Sequence, residues 1–303
     1  MNKKSNLQQI LEKGRFAVTA EISPPKGSDP EKIRGKASIL HEYVDACNIT
    51  DNQTAVVRMS SIAGCSLLLQ IGLDPIMQLT CRDRNRIALQ SDVLGASAMG
   101  IKNMLLLTGD HQSFGNHPEA KGVFDVDSIQ LIEIVSHMKQ KGIFQNGDKI
   151  LAGNPNVFIG AAANPFANNP ELSILRLVKK IKAGAQFIQT QSVFNIETFN
   201  SWMDEVRSQG LDKKIHIIAG ITPLKSIKMA ERMKFFVPGV DIPDYLYQQI
   251  IKSSNPQQEG KNIAIELMQT IKKMKGVHGI HITALFWEEI IPRLICDSGL
   301  CHR

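Results

Sequence analysis

The chain has 303 residues, of which 43% are hydrophobic and 21% charged, and it carries a formal net charge of +6. These values are typical of a globular protein with a large core, and no apolar run is long enough to cross a bilayer. Lys and Arg are scattered rather than clustered, which argues against nucleic-acid binding, although the positive charge is compatible with anionic ligands.

The first residues and the cysteines indicate where the protein works. MNKKSNLQQILEKGRF predicts a short amphipathic helix rather than a signal peptide. The 5 cysteines are irregularly spaced, which argues against an extracellular disulfide framework and favours a reducing cytoplasm. Cys296 and Cys301 lie close together near the terminus. They form either a metal or redox pair, with His302 as an added ligand, or part of a frayed tail.

Short β-branched apolar runs alternate with longer helical patterns along the whole chain. The predicted strands are 16–22, 43–50, 75–81, 103–108, 157–163, 186–191, 215–221 and 278–285. The predicted helices include 84–99, 127–142, 170–184 and 195–209. The longest irregular stretches are 110–125, 145–156 and 253–262. This alternation predicts a single α/β domain over residues 1–303, a (β/α)8 TIM barrel. An open doubly wound sheet is disfavoured because no glycine-rich phosphate turn follows the first strand.

Polar residues end or directly follow most of the predicted strands. They are Glu21, Thr50, Asp51, Thr80, Asp110, Asn164, Gln191 and Thr222. In a barrel of this kind the loops after the strands meet at one end, so these side chains predict a small-molecule site there. The 110–125 segment follows a strand and is a candidate lid over that site.

Two carboxyl groups of this set are candidates for chemistry. Glu21 interrupts an apolar strand, and a carboxyl group that loses solvation favours its neutral form, so Glu21 is a candidate general acid. A salt bridge to a neighbouring Lys or Arg is the alternative. Asp110 follows a Thr-Gly turn and either faces a cationic group or cofactor ring, or caps the amides of that turn.

Two glutamines and three arginines each allow two interpretations. Gln189 and Gln191 lie on the same face of a strand, where they recognise a ligand or hydrogen-bond to each other. The arginines of LTCRDRNRIALQ either meet phosphate groups at a helix start or are solvated, with Asp83 as the helix cap. These arginines are Arg82, Arg84 and Arg86.

Several segments together resemble the methylenetetrahydrofolate reductases, and the resemblance covers almost the whole chain. They are AEISPPKGSD (20–29), LTCRDRNR (79–86), GIKNMLLLTGD (100–110), KKIKAGAQFIQTQSVFN (179–195) and IIAGITPL (217–224), with DIP (241–243) and GIHITAL (279–285) in support. The LTCRDRNR form is similar to that of the methyltransferase-fused and acetogen-type versions.

The resemblance implies the reduction of 5,10-methylenetetrahydrofolate to 5-methyltetrahydrofolate by a bound flavin, FAD in the first place and FMN as the alternative. Glu21 matches the general acid, and Asp110 matches the aspartate that stabilises a cationic iminium. Gln191 and Leu285 match substrate contacts. The positions that match flavin contacts are Thr50, Gln78, Thr108, Asp110, Asn164, Arg176 and Lys180.

Three of these aligned positions, and two others, differ in residue type from the family pattern. Gln78 stands for a histidine, Thr108 for an arginine and Asn164 for a tyrosine. Ile227 and Ser192 replace aromatic residues near the nicotinamide and the folate. The resemblance therefore leaves two electron donors open: NAD(P)H, or a partner protein with metal or iron–sulfur centres. It also implies an oligomer or hetero-complex. The alternative functions are an electron-transfer subunit and a flavin reductase of another pterin or imine.

Overall fold

The barrel predicted from the sequence is present in the computed structural model, which describes residues 4–301. Within these residues, eight parallel strands close into a barrel in the order of the sequence. They are β1 (Ala17–Ile22), β2 (Ala46–Ile49), β3 (Pro75–Thr80), β4 (Asn103–Leu107), β5 (Phe158–Ala163), β6 (Phe187–Ser192), β7 (His216–Ile221) and β8 (Gly279–Ile282). All the predicted strands are confirmed, and their ends differ most at β2 and β8.

Helices follow most of the strands and pack around the barrel. The α-helices are α1 (Asn6–Glu12), α2 (Glu31–Leu40), α3 (Ser61–Gln70), α4 (Arg86–Ala98), α5 (Ser128–Lys141), α6 (Pro170–Ala183), α7 (Ile196–Ser208), α8 (Ile227–Phe236), α9 (Asp244–Lys252), α10 (Pro256–Lys272) and α11 (Ile291–Asp297). Short 3-10 helices span Gln53–Ala55, Gln112–Phe114 and Glu288–Ile290. Within the described part of the chain, no helix is long and apolar enough to span a membrane.

The four predicted helices correspond to α4, α5, α6 and α7 and are confirmed. The predicted irregular stretch 253–262 is wrong from Pro256 onward, because α10 begins there. The side chain of Asn255 accepts a hydrogen bond from the Gln258 amide, and Pro256 occupies the first turn, where its missing N–H costs nothing. The first turn of α10 is polar and therefore lacks the apolar periodicity that predicts a helix.

Side chains of each strand point alternately inward and outward. On β1, Val18, Ala20 and Ile22 face outward and join the core that packs against α2. Ala17, Thr19 and Glu21 therefore point into the barrel. The same alternation holds for β2, where Cys47 and Ile49 belong to the outer core.

Helix α1 closes the amino-terminal end of the barrel. Leu7, Ile10 and Leu11 of this helix cluster with apolar side chains from inside the barrel. The amide of Leu7 donates to the Asp74 carboxylate at 3.0 Å. Because Asp74 directly precedes β3, this bond fixes α1 at the amino-terminal end of that strand. The predicted amino-terminal helix is thus confirmed from Asn6 to Glu12, and residues 1–3 lie outside the described part. Within residues 4–301, α1 thus fills the amino-terminal end of the barrel, and the cavity described below opens at the carboxyl ends of the strands.

Phe158 and Phe187 fill the interior next to this plug, with ring centroids 5.0 Å apart. Gly160 is paired in register with Phe187 on the neighbouring strand. A Cβ atom at Gly160 would lie 2.2 Å from Cζ of Phe187, so the ring occupies the space that any larger residue needs. The interior is therefore packed at its lower layers and leaves space only higher up.

Candidate active site at the carboxyl ends of the strands

A cavity of about 670 Å³ opens at the carboxyl ends of the strands, where the sequence predicts the site. Its floor includes Glu21, Gln78, Gln189 and His281 from the strands. One side is formed by α8 and the segment that follows it. The predicted substrate contacts Gln191 and Leu285 both line this cavity.

Glu21 lies at the floor of the cavity, next to Gln78 and His281. Its carboxyl Oε2 accepts a hydrogen bond from Nε2 of Gln78 at 2.9 Å. Nε2 of His281 lies 3.8 Å from the same oxygen. Only 10% of the Glu21 side chain is exposed. No Lys or Arg within residues 4–301 forms an ion pair with it, so the alternative of a salt bridge to Lys or Arg is wrong.

A buried polar network lies directly beneath Glu21. Nδ1 of His281 is 3.0 Å from the Thr19 hydroxyl and 3.4 Å from Nε2 of Gln189. Gln189 and Asn48 exchange two hydrogen bonds, at 2.7 and 3.1 Å. The predicted mutual bonding of Gln189 and Gln191 is therefore wrong, because Asn48 is the partner of Gln189. Gln191 is exposed at the cavity and free to meet a ligand.

The three arginines after β3 are paired with carboxylates. Arg82 bonds to Asp83 at 2.7 Å, Arg84 to Asp51 at 2.7 Å and Arg86 to Asp125 at 2.7 Å. Asp51 is fully buried and also accepts from the amide and hydroxyl of Thr80. These pairings favour a structural role over phosphate binding.

Asp83 is not the cap of α4, as the solvated-helix alternative assumed. The side chain of Asn85 accepts from the amides of Ile87 and Ala88 and begins the helix at Arg86. Asp83 instead pairs with Arg82, which holds the pKa of Asp83 below its usual value even though burial opposes this. The sequence alone does not decide between Asp83 and Asn85 as the helix cap, because Asp and Asn cap helices equally well.

Three of the predicted flavin positions, Thr50, Thr108 and Lys180, do not line the cavity. The Thr50 hydroxyl is buried and has no hydrogen-bond partner among the described residues. The Thr108 hydroxyl accepts from the amide of Ser128 at 3.3 Å, at the start of α5. Lys180 donates to the carbonyl of Ala162 at 2.6 Å, and Ala162 lines the cavity. Burial, and then the nearby charge of Arg176, lower the pKa of Lys180 to about 8.

Asp110, Asn164 and Arg176 do not line the cavity. Asp110 is exposed, and its carboxylate accepts from the amide of Thr54 at 3.2 Å, with Thr54 at the cavity rim. Asn164 follows β5 and accepts from the amide of Phe166 at 2.9 Å. Arg176 is exposed on α6. The structure thus brings Glu21, Gln78, Gln191 and Leu285 to one cavity, whereas the other predicted catalytic and flavin residues do not line it.

Backbone strain is concentrated at the cavity rim. Leu285 and Phe286 have φ values of 31° and 63°, and Thr54 has a φ of 54°. Such values are costly for residues with a side chain, and strain of this kind clusters at functional sites. Thr54, Leu285 and Phe286 all line the cavity.

His281 and Arg58 line the cavity, and the sequence did not single out either of them. Arg58 donates to the carbonyl of Pro24 at 2.9 Å and lies 5.9 Å from the ring centroid of Phe286. For His281 a signal was available, because it occupies an inward position of β8, in register with Thr19. A polar ring at an interior strand position requires partners and so indicates a site.

Cys296 and Cys301 are joined by a disulfide, so Cys301 is not part of a frayed tail. His302, considered as an added ligand, lies outside the described residues. Cys47, Cys65 and Cys81 are free and buried. One link between residues this close does not form a disulfide framework.

A parallel (β/α)8 barrel with a cavity at the carboxyl ends of its strands, lined by apolar side chains and a few polar groups, is the architecture of an enzyme that binds a small molecule. A family model described as methylenetetrahydrofolate reductase matches residues 6–299. The chain therefore belongs to the methylenetetrahydrofolate reductase family.

Individual relatives are distant. The chain is 25% identical to a 5,10-methylenetetrahydrofolate reductase of Pectobacterium carotovorum, over 99% of this chain and 95% of that protein. It is 27% identical to methylenetetrahydrofolate reductase 2 of Schizosaccharomyces pombe, over 74% of this chain but only 35% of that protein. A solved structure from Clostridium thermocellum, which binds two copies of 5-methyl-5,6,7,8-tetrahydrofolic acid, superposes with a TM-score of 0.64. It is 16% identical over 98% of each chain and supports the fold alone.

Proposed function

We propose that this protein reduces 5,10-methylenetetrahydrofolate to 5-methyltetrahydrofolate with the help of a bound flavin. The observation that carries the proposal is the Glu21 carboxyl group, which lies at the floor of the cavity and is paired with no Lys or Arg within residues 4–301. Family membership and the named relatives supply the substrate. The methyltetrahydrofolate-binding neighbour is consistent with a pterin ligand in this fold.

Glu21 would act as the general acid. Transfer of its proton to N10 of the folate accompanies cleavage of the bond between N10 and the methylene carbon. The electron pair of that bond stays on N10, and the methylene carbon becomes part of an iminium with N5. A partly desolvated carboxyl group is suited to this step, because no Lys or Arg within residues 4–301 pairs with Glu21 and holds it as a carboxylate.

Asp110 would stabilise the positive charge of the iminium from the rim of the cavity. Its carboxylate is bonded to Thr54, which lines the cavity. Because Asp110 is exposed, water screens its charge and its effect is smaller than that of a buried carboxylate. Gln191 and Leu285 would contact the folate from β6 and from the segment after β8.

The flavin would lie on the side of the cavity formed by β3 to β5, where Gln78, Leu107 and Ala162 line it. The Thr50 hydroxyl is a buried polar atom without a partner among the described residues, and a ligand would satisfy it. Gln78, which lines the cavity, would offer its amide, and Thr108, Asn164, Arg176 and Lys180 are the other proposed contacts. When bound, reduced flavin supplies the hydride equivalent for the reduction. FAD is the first candidate and FMN the second.

NAD(P)H or a partner protein would supply the electrons. Ile227 and Ser192 stand where an aromatic residue would offer a stacking surface, which favours a partner protein. The free cysteines are buried, and burial raises the pKa of Cys81 to about 12, so they are poor metal ligands. Metal or iron–sulfur centres would belong to the partner, in an oligomer or hetero-complex. We also propose that the protein is cytoplasmic and that residues 1–303 form one reductase domain.

The test combines the cofactor, the donor and the substrate. The purified protein is reconstituted with FAD or FMN, reduced anaerobically with NADH, NADPH or dithionite, and mixed with methylenetetrahydrofolate. We expect the folate to reoxidise the flavin and to yield methyltetrahydrofolate. A protein that binds neither flavin would refute the proposal. Reduced flavin that reacts with another imine or only with a second protein would indicate one of the alternative functions.

Glu21→Gln tests the acid. We expect this variant to bind flavin normally and to lose about 10²–10⁴-fold in the rate of folate reduction, the usual contribution of a general acid. Glu12→Gln is the matched control, because Glu12 lies on α1 at the plugged end of the barrel. Comparable turnover in wild type and Glu21→Gln would rule out the acid role.

A further inference from the structure

His281 is the only ionisable side chain that forms an ion-pair contact with Glu21 within residues 4–301. The two side chains are buried together, with 7% and 10% of their surfaces exposed. The other charged residues of the cavity are Arg58, Lys228 and Arg232, and none of them is paired with Glu21. The group next to the proposed acid is therefore an imidazole rather than a permanent cation.

A general acid must be tolerated both with and without its proton, because it changes state in every turnover. Lys and Arg have donors only, so they stabilise the carboxylate and disfavour the acid form. A neutral imidazole has one donor and one acceptor nitrogen. It can therefore accept from a protonated Glu21 or donate to an ionised one.

The network under His281 can satisfy either arrangement of the ring proton. When Nδ1 carries the proton, it donates to the Thr19 hydroxyl, which in turn donates to the carbonyl of Ile280 at 3.2 Å. Nε2 then faces Glu21 as an acceptor. When Nε2 carries the proton, Nδ1 accepts from Thr19 or from Gln189. Nδ1 of His281 therefore has a hydrogen-bond partner in either state, and Nε2 faces Glu21 in both.

The orientation of the ring is fixed from below. Gln189 is held by its two bonds to Asn48, and Thr19 is in strand register with His281. The distance of 3.8 Å between Nε2 and the Glu21 oxygen is longer than a hydrogen bond. Catalytic contacts are often long without ligand and shorten when the substrate binds.

We infer that His281 is a positioning residue, which holds the Glu21 carboxyl group in place and pairs with it in both protonation states. The inference rests on the proposed function only for the role of Glu21 as the acid. The 3.8 Å contact between the two side chains is present in the free protein, and its effect on the imidazole is measurable without flavin or folate.

The first experiment measures the pairing by ¹⁵N NMR of the histidine side chains in the purified protein. We expect Glu21→Gln to shift the ring nitrogens of His281, because Nε2 then faces an amide. The resonances of His216 serve as the control, since His216 lies at the opposite end of the barrel on β7. Unchanged His281 resonances would overturn the inference.

The second experiment separates positioning from a structural role by kinetics. His281→Gln keeps a neutral donor and acceptor, whereas His281→Lys offers donors only. We expect His281→Lys to slow flavin reoxidation by methylenetetrahydrofolate about 10²-fold, the usual effect of misplacing a catalytic group. His281→Gln should recover most of the rate, and His216→Gln should match wild type. Flavin reduction by dithionite should be the same in all variants.

Equal folate rates in the Gln and Lys variants would overturn the inference, as would an equal slowing of both half-reactions. If His281→Lys does not fold, the NMR comparison and His281→Gln still decide. If Glu21→Gln shifts the His281 resonances but the reduced wild-type protein never reduces the folate, the proposed function is refuted and the pairing of His281 with Glu21 is retained. The two failures are thus distinguishable.

Discussion

Replacing Arg84 with Met tests whether the arginines after β3 stabilise the fold or bind a phosphate. The Arg84 guanidinium contacts Asp51 at 2.7 and 3.2 Å and Asp92 at 2.8 Å. The Arg84 side chain is 15% exposed and Asp51 is fully buried. Arg84→Met keeps the apolar stem but leaves the Asp51 carboxylate without its counter-charge. Breaking a buried ion pair from one side costs about 3–5 kcal/mol.

The bonds from Thr80 to Asp51 remain in the variant, so the loss should fall near the lower end of that range. Arg86→Met is the matched control, because Arg86 and Asp125 are 48% and 29% exposed and water takes over from the lost partner. Urea unfolding followed by circular dichroism measures both variants. Equal stability of the two variants would contradict a structural role. Lost flavin affinity without lost stability would instead assign these arginines to a phosphate.

Three further predictions concern other parts of the barrel. Asp110→Asn should slow folate reduction more than flavin reduction in stopped-flow measurements, and the opposite order would exclude an electrostatic role at the iminium. Gly160→Ala should lower the free energy of unfolding by about 1–3 kcal/mol because its Cβ meets the Phe187 ring, and Phe187→Leu in the same chain should restore part of it. Burial raises the pKa of Asp74, so the wild type loses stability as the pH rises through that raised pKa. The stability of Asp74→Asn relative to wild type, from urea midpoints at pH 4 and 7, should therefore increase with pH, and a decrease would contradict the assigned cause.

The barrel could be predicted because each strand has a recognisable local sequence pattern. Runs such as FAVTAEI and IHIIAGI combine apolar and β-branched residues, and the segments between them have helical periodicity. The start of α10 could not be predicted, because its first turn is polar and its buried positions begin only at Gly260 and Lys261. Such a turn has the composition of a loop, and only its capping hydrogen bond reveals a helix.

The site could be predicted only where position along a strand decides it. Glu21 and Gln191 come at strand ends, so the barrel itself brings them to the cavity. The partners of Arg84 could not be predicted, because Asp51 belongs to a different strand end and pairs with it only after the barrel closes. His281 lies within a strand of mostly apolar residues, so the composition of that strand predicts a core position rather than a site residue.

The inward residues of β1 show how the barrel places the acid. Ala17 belongs to the apolar plug, Thr19 to the buried polar network, and Glu21 to the cavity floor. Strand alternation sends residues two apart to the same side, so these three layers follow from the spacing of the sequence alone. A shift of one residue in β1 would turn Glu21 into the outer core and bring an apolar side chain to the cavity. The eight-strand closure, which fixes that register on both edges of β1, is therefore what holds the proposed acid beside Gln78 and His281.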